Sequence, residues 1–386
     1  MPACPFRDTS AFFYLSTRPA VPILSASTSH GTIDTAAPNG ESLSMNASWL
    51  EFLAAQGAVV TDGHVSAFAG RDARADSGLA AAHAPTVTPL TRFAVLDFAG
   101  DDAQAFLQSQ FSSDVRQVDA TSAQLSSYST AKGRMLASFL IWQRDGRYRL
   151  LLAADLASAI DRRLGMFILR SKVSHAPLTG QVLLGIAGEH AARRAGVIAP
   201  APAADFSLTA FDGGEVIRLP GERFVVMVAE DRAADVWHAL QEAGSQATGE
   251  AAWDWHDIAT GTPWISLATQ EAFVPQMTNM ELLGAVNFKK GCYPGQEIVA
   301  RTQYIGKVKR RMLRAHVDAD ASAGQDLYAA ETGEQSIGKI VQSVPAAHGG
   351  SEVLAVAQLS AWASGVHLGA PDGPALTAGT LPYPVA

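Results

Sequence analysis

From residue 45 onward the apolar positions recur with either a helical or a strand period, and the period changes from one stretch to the next. Ala47 to Gln56 repeats as a helix does, and a polar stretch over roughly 70 to 88 then reads as a linker. Phe93, Val95 and Phe98 mark an alternating strand, after which Asp101 and Asp102 can cap a helix carrying Phe106, Leu107 and Gln110. Next come a strand over Ser138 to Trp142, an Asp145-Gly146 turn and a strand over Tyr148 to Leu152. A helix led by Asp155 follows, with Leu156, Ile160, Leu164 and Phe167 on one face. The same order returns later: Val216 to Leu219, a Pro220-Gly221 turn, Phe224 to Val228, and a helix opened by Asp231 with Val236 and Leu240. Beyond Met312 the runs become short and β-rich (Leu313 to Val317, Ser336 to Val344, Glu352 to Gln358), which predicts a small closed or sandwiched β domain. The expected class is α+β: a body with a duplicated strand-turn-strand-helix unit over 45–312, and a C-terminal β domain over 313–386.

Residues 1–44 break this regularity. They are rich in Ser, Thr, Ala and Pro and carry no sustained period, so an unstructured extension is expected there. Arg7 and Arg18 among hydroxyl residues admit a weak targeting peptide. Pro5, Pro19, Pro22, Asp8 and Asp34 count against the amphipathic, acid-poor helix such a signal needs, and favour a start assigned upstream of the true one.

Composition narrows the setting. At 48% hydrophobic and 17% charged residues the chain has enough apolar material for sizeable cores. Its net charge of -8 opposes general attraction to nucleic acid or anionic membrane, so any anion site must be local. No apolar run reaches the roughly 20 residues of a membrane span. Two cysteines, Cys4 and Cys292, do not make a disulfide framework and suit a reducing compartment. The bacterial cytoplasm is the expected location, with a mitochondrial matrix as the alternative.

Chemistry concentrates in Phe288-Lys289-Lys290-Gly291-Cys292-Tyr293-Pro294-Gly295-Gln296-Glu297, which reads as a loop entering a helix. A thiol at 292 would sit near a helix N-terminus beside two lysines, a setting that favours the thiolate. The competing reading is a small buried hydrophobe, and the polar, glycine-bracketed context favours function over it. One cysteine cannot hold a zinc or iron-sulfur site by itself, and the ten histidines lack metal-site spacing, so no metal site is assigned. From Lys289 to Arg314 eight basic residues face one acid, Glu297, a local candidate for carboxylate or phosphate binding or a solvated strand face.

The run Lys290-Gly291-Cys292-Tyr293-Pro294-Gly295-Gln296-Glu297 resembles the signature of the YgfZ family, relatives of the glycine-cleavage T-protein. Phe273-Val274-Pro275-Gln276 with Asn279, Leu283 to Phe288, and Thr302 to Arg311 resemble its flanks. Phe106-Leu107-Gln108, Asp114-Val115 and Lys132-Gly133-Arg134-Met135-Leu136 resemble its first half, so the likeness spans about residues 90 to 312. It implies a T-protein-like fold around a central hole that takes tetrahydrofolate or a one-carbon derivative, with a C-terminal barrel. It also implies a role in assembling or repairing iron-sulfur proteins, including enzymes that thiolate transfer RNA. Cys292 is the functional thiol by position. Lys290, Gly291, Tyr293, Gly295, Gln296, Glu297, Arg134, Gln276, Asn279 and Arg301 are the ligand-binding positions so implied.

The chain departs from T-proteins at the carboxylate that aminomethyl transfer requires, where Ala137 and Ser138 stand. It also has Ala259 where T-proteins carry a Glu. The leading expectation is therefore a folate-binding accessory factor rather than a classical enzyme, partnered by iron-sulfur client or assembly proteins and touching a cluster only transiently. A folate-dependent one-carbon transferase or demethylase is the alternative. Direct transfer RNA binding is a third reading, disfavoured by net charge and by the lack of aromatic platforms beyond Tyr293 and Tyr304.

Overall fold

The computed structural model describes residues 47–385, so the expectation for 1–44 lies outside the described residues. Two antiparallel hairpin-and-helix units form where the periodicity places them. In the first, Met135–Arg144 pairs with Arg147–Ala153 across a two-residue loop, and Asp145 and Gly146 take the positive φ values, 52° and 75°, that such a tight turn needs. The helix Ala154–Ile168 follows and buries Leu156, Ala157, Ile160, Leu164 and Ile168. Phe167, expected on that face, is instead 47% exposed. Leu164 and Ile168 stand four residues apart on the buried face, and Phe167 falls to its edge. In the second unit Gly214–Leu219 pairs with Arg223–Ala229, and Glu230–Glu242 is the helix, burying Ala233, Val236, Trp237 and Leu240.

Each hairpin belongs to its own sheet. The first sheet has five antiparallel strands in the order Ala123–Ser129, Met135–Arg144, Arg147–Ala153, Phe93–Ala99, Ser174–Pro177. The second has six, in the order Leu208–Phe211, Gly214–Leu219, Arg223–Ala229, Gln181–Ala187, Thr86–Pro89, Gln246–Ala247, and only the last pairing is parallel. Beyond them, Arg310–Val317, Ser351–Gln358, Gly338–Pro345, Asp326–Tyr328, Val366–Leu368 and Ala375–Ala378 close into a six-stranded barrel, the last strand returning to pair with the first.

Two polar stretches behave differently from expectation. The linker over 70–88 contains the helix Ala73–Ala81, capped by the Asp72 carboxylate on the Ala75 amide at 2.8 Å, and the wholly buried strand Thr86–Pro89. Its polar residues point inward for a reason: the fully buried Asp76 carboxylate accepts from Arg71 Nε at 2.8 Å and from the Gly249 amide at 2.7 Å. Asp102 precedes the helix Ala103–Gln110 without capping it by its side chain, and accepts instead from the Lys172 amide at 2.7 Å.

The helix Glu250–Thr260 occupies the junction of these parts. Its Trp253, Trp255 and Ile258 share one apolar core with Phe93, Leu140 and Leu151 of the first sheet and with Met312, Val341, Leu354 and Val356 of the barrel. The barrel therefore docks on the body through a continuous core.

Candidate functional site

The signature loop is held from beneath by Lys290. Its ammonium donates to the carbonyls of Gln108 at 2.6 Å, Phe111 at 2.5 Å and Ser113 at 2.8 Å, at the C-terminal end of the helix Ala103–Gln110. A cation is well matched there, because carbonyls and helix dipole both turn their negative ends toward it. Burial pulls the Lys290 ammonium down to about 8. The same ammonium lies 5.2 Å from the centre of the Tyr293 ring. Tyr293 is buried, burial raises its phenol further above the ordinary range, and its hydroxyl has no hydrogen-bond partner among the described residues.

Gly295 ends the loop at φ 82°, and a Cβ there would lie 2.5 Å from the Thr130 carbonyl oxygen and 2.7 Å from Gly133 Cα. Only glycine permits that approach. Gly291 has no such constraint: no atom lies within 4 Å of where its Cβ would be. The helix Gln296–Tyr304 then begins, with Glu297 in its first turn and Val299 as its buried residue. Cys292 is a free thiol exposed to solvent between the two glycines.

The other residues singled out in the sequence divide by burial. Gln276 and Asn279 are fully buried and serve the backbone: Gln276 Nε2 donates to the Val299 carbonyl at 2.7 Å, and Asn279 Nδ2 to that of Met312 at 2.9 Å. Arg134 Nη1 donates to the Ala272 carbonyl at 2.6 Å. Gly291, Glu297 and Arg301 are exposed and Gln296 is half-buried. The eight cations from Lys289 to Arg314 divide likewise. Lys290 is internal, Arg311 pairs with Glu281, and Arg314 pairs with Glu352 at 2.9 Å. Lys289, Arg301, Lys307, Lys309 and Arg310 form no ion pair among the described residues.

A cavity of about 240 Å³ lies apart from that loop, between the paired strand ends at Phe93 and Ala153 in the interior of the first sheet, the helix Glu250–Thr260 and the barrel. None of the candidate ligand-binding positions named above is among its lining residues. Phe93 and Trp264 meet edge to face at 4.8 Å and form its aromatic wall. Arg92 covers Phe93 at 4.7 Å and pairs with Asp254 and, at 2.9 Å, with Asp257. Its backbone amide donates to Glu250 Oε1 at 2.6 Å. His64 Nδ1 lies 3.8 Å from the other Glu250 oxygen, and Asp155 accepts from the Leu267 amide at 2.9 Å. Behind them the fully buried Arg223 pairs with Asp257 at 2.7 Å.

Three polar atoms of cavity-lining residues, Arg92 Nε, Trp264 Nε1 and Gln342 Nε2, are buried with no hydrogen-bond partner among the described residues, while Asp254 Oδ1 is in contact with Arg92. An aromatic pair beside a charged, polar wall suits a ligand that is flat and edged with polar atoms. Sequence reasoning missed these residues. The available signal was Glu250 and Asp254, two acids spaced i,i+4 in a helix otherwise rich in tryptophan, where like charges on one face need a reason.

The side chain at strand position 138 is fully used. Ser138 Oγ donates to the Pro263 carbonyl at 3.0 Å and accepts from the Ile265 amide at 2.9 Å, while Ala137 is buried. No group of three or more candidate metal ligands occurs among the described residues, and no described helix is long and apolar enough to cross a membrane.

No protein-family model matches the chain. It is 32% identical over 247 residues to the tRNA-modifying protein YgfZ of Klebsiella pneumoniae (strain 342), covering 63% of this chain and 75% of that one. It is 31% identical over 255 residues to the tRNA-modifying protein YgfZ of Edwardsiella ictaluri (strain 93-146), covering 64% and 77%. Among solved structures, the glycine cleavage system aminomethyltransferase T from Bartonella henselae superimposes with a TM-score of 0.71 at 15% identity, over 86% of this chain and 96% of that one. The fold is thus that of the aminomethyltransferase T-protein, and by its likeness to these relatives the chain belongs to the YgfZ family.

Proposed function

We propose that the chain is a tetrahydrofolate-binding accessory factor for the assembly or repair of iron-sulfur proteins, and that through them it supports enzymes that modify transfer RNA in the bacterial cytoplasm. The observation that carries the binding half is the cavity, with its aromatic pair and the charged wall of Arg92 and Asp254. Phe93 and Trp264 offer a fused ring system apolar contact, and Arg92, Asp254, Gln342 and Ser343 are the polar residues of the lining. Tetrahydrofolate, when bound, supplies one-carbon carriage. The link to transfer RNA rests on the relatives' name and the T-protein fold.

Cys292 acts in a separate step in this reading, as an exposed thiol that meets a cluster, a sulfur species or a client protein. Lys290, Tyr293 and Gly295 present it. The missing strand carboxylate, with the Ser138 hydroxyl already committed, weighs against aminomethyl transfer.

Calorimetric titration of tetrahydrofolate under anaerobic reducing conditions tests the binding half, using protein that starts at residue 45 and its Cys292→Ala variant. Both should bind with the same affinity. A wild-type protein that does not bind refutes the folate reading, and a Cys292→Ala variant that restores iron-sulfur enzyme activity in a deletion strain refutes the role of the thiol.

A further inference from the structure

The cavity wall carries an imbalance of charge that its neighbours do not resolve. Three carboxylates, Glu250, Asp254 and Asp257, stand on successive turns of one helix, and two guanidiniums, Arg92 and Arg223, face them. Arg223 is spent on Asp257. Arg92 is left to serve Asp254, the second oxygen of Asp257 and, through its backbone amide, Glu250. The remaining charged or titratable groups on this wall are His64, half-exposed at 3.8 Å from Glu250, and Asp155, a further acid. The barrel contributes Gln342 and Ser343, which are uncharged. One negative charge is thus uncompensated in a setting where an unpaired charge is expensive.

We propose that Glu250 and Asp254 hold one proton between them at neutral pH, and that Asp254, the member that lines the cavity, exchanges this proton with a basic nitrogen of the bound ligand. The proposal rests on the folate reading for the ligand and not for the shared proton. On binding, the proton passes from the Asp254 carboxyl to the ligand nitrogen, and the carboxylate left behind is balanced by the newly charged ligand and Arg92. Release runs the transfer backward. Burial is the main cause that raises both acids to about 7, with Arg92 opposing it, and the Glu250 charge adds to the rise at Asp254. A fold that has lost its strand carboxylate at Ala137 and Ser138 in this way keeps a proton-handling group on a different wall.

Infrared spectra of the ligand-free protein test the shared proton. The wild type should show a carboxylic C=O band at pH 6 that fades as pH rises through neutrality. Either Asp254→Asn or Glu250→Gln should abolish it, because removing one acid leaves two carboxylates for two guanidiniums and no need for a proton. Two variants guard against misfolding of one, and a thermal scan of each checks it. Adding tetrahydrofolate to the wild type at pH 6 should then remove the band, because the proton leaves the Asp254 carboxyl for the ligand, and calorimetry in two buffers of different ionisation enthalpy should find no net proton exchanged with solvent. A wild type without the band, or variants that retain it, overturns the proposal. So does a band that persists in the complex with bound tetrahydrofolate. A protein that shows the band and does not bind tetrahydrofolate overturns the folate reading while supporting the shared proton.

Discussion

Two buried side chains show how single residues set the limits of this structure. His256 lies inside the protein with Nε2 unpartnered among the described residues, and burial, reinforced by Arg223, pulls it down to about 3 from an ordinary 6.5. Between those values the unfolded chain takes up a proton that the folded chain refuses. The stability this histidine permits is whole above pH 6.5 and is lost as pH falls toward 3. His256→Phe should therefore leave urea stability at pH 7 within about 1 kcal/mol of the wild type and make the decline from pH 7 to pH 5 shallower. Equal declines for the two proteins would show that another group governs the acid limb. Lys290 works in the opposite sense, as a buried charge that is satisfied: three carbonyls lose their donor if it is removed. Lys290→Met should cost about 3 kcal/mol in urea unfolding, and Lys290→Arg should not restore it, because a planar fork cannot meet three carbonyls arranged around a point charge.

Among the elements, the loop and helix from Gly291 to Tyr304 separate what is built from what is merely present. Gly295→Ala places a methyl against the Thr130 carbonyl in a backbone region closed to alanine, and should cost about 2 kcal/mol or more in thermal or urea unfolding. Gly291→Ala meets nothing and should stay within about 0.5 kcal/mol. Similar losses at both positions would mean that the loop is anchored differently. The sequence made this loop legible because glycine, proline and lysine are concentrated there, as it did the two hairpins, whose apolar periods change sharply at Asp145-Gly146 and around Gly221. The helix Ala73–Ala81 was illegible because its polar letters face inward: Asp76 is spent on Arg71 and the Gly249 amide, contacts with no local signature. The cavity was hidden for the same reason. Phe93, the stretch from Asp254 to Trp264, and Gln342 come from three distant segments, and the docking of the barrel adds the last to the wall.

At the scale of the whole molecule, that docking determines how the protein should come apart. The barrel has a small core of its own around Val317, Leu327, Ile340 and Val353, but Met312, Val341, Leu354 and Val356 belong to the core of the first sheet. Hydrogen bonds cross the same seam: Gln342 accepts from the Trp264 amide at 2.7 Å, Asn279 donates to Met312, and the Tyr383 hydroxyl donates to the Gly261 carbonyl at 2.8 Å. A barrel that let go would expose this shared apolar surface on both sides, so partial unfolding gains little chain entropy against a large hydration penalty. Body and barrel should then unfold in one transition, followed alike by far-ultraviolet circular dichroism and by tryptophan fluorescence, which here reports mainly on the body. Met312→Ala opens a hole in the fully buried seam and should lower that transition by about 3 kcal/mol, with the two signals still coincident. If instead circular dichroism falls first while the fluorescence holds, the barrel is an independent unit. The cavity wall contributed by Val341, Gln342 and Ser343 could then open without the rest.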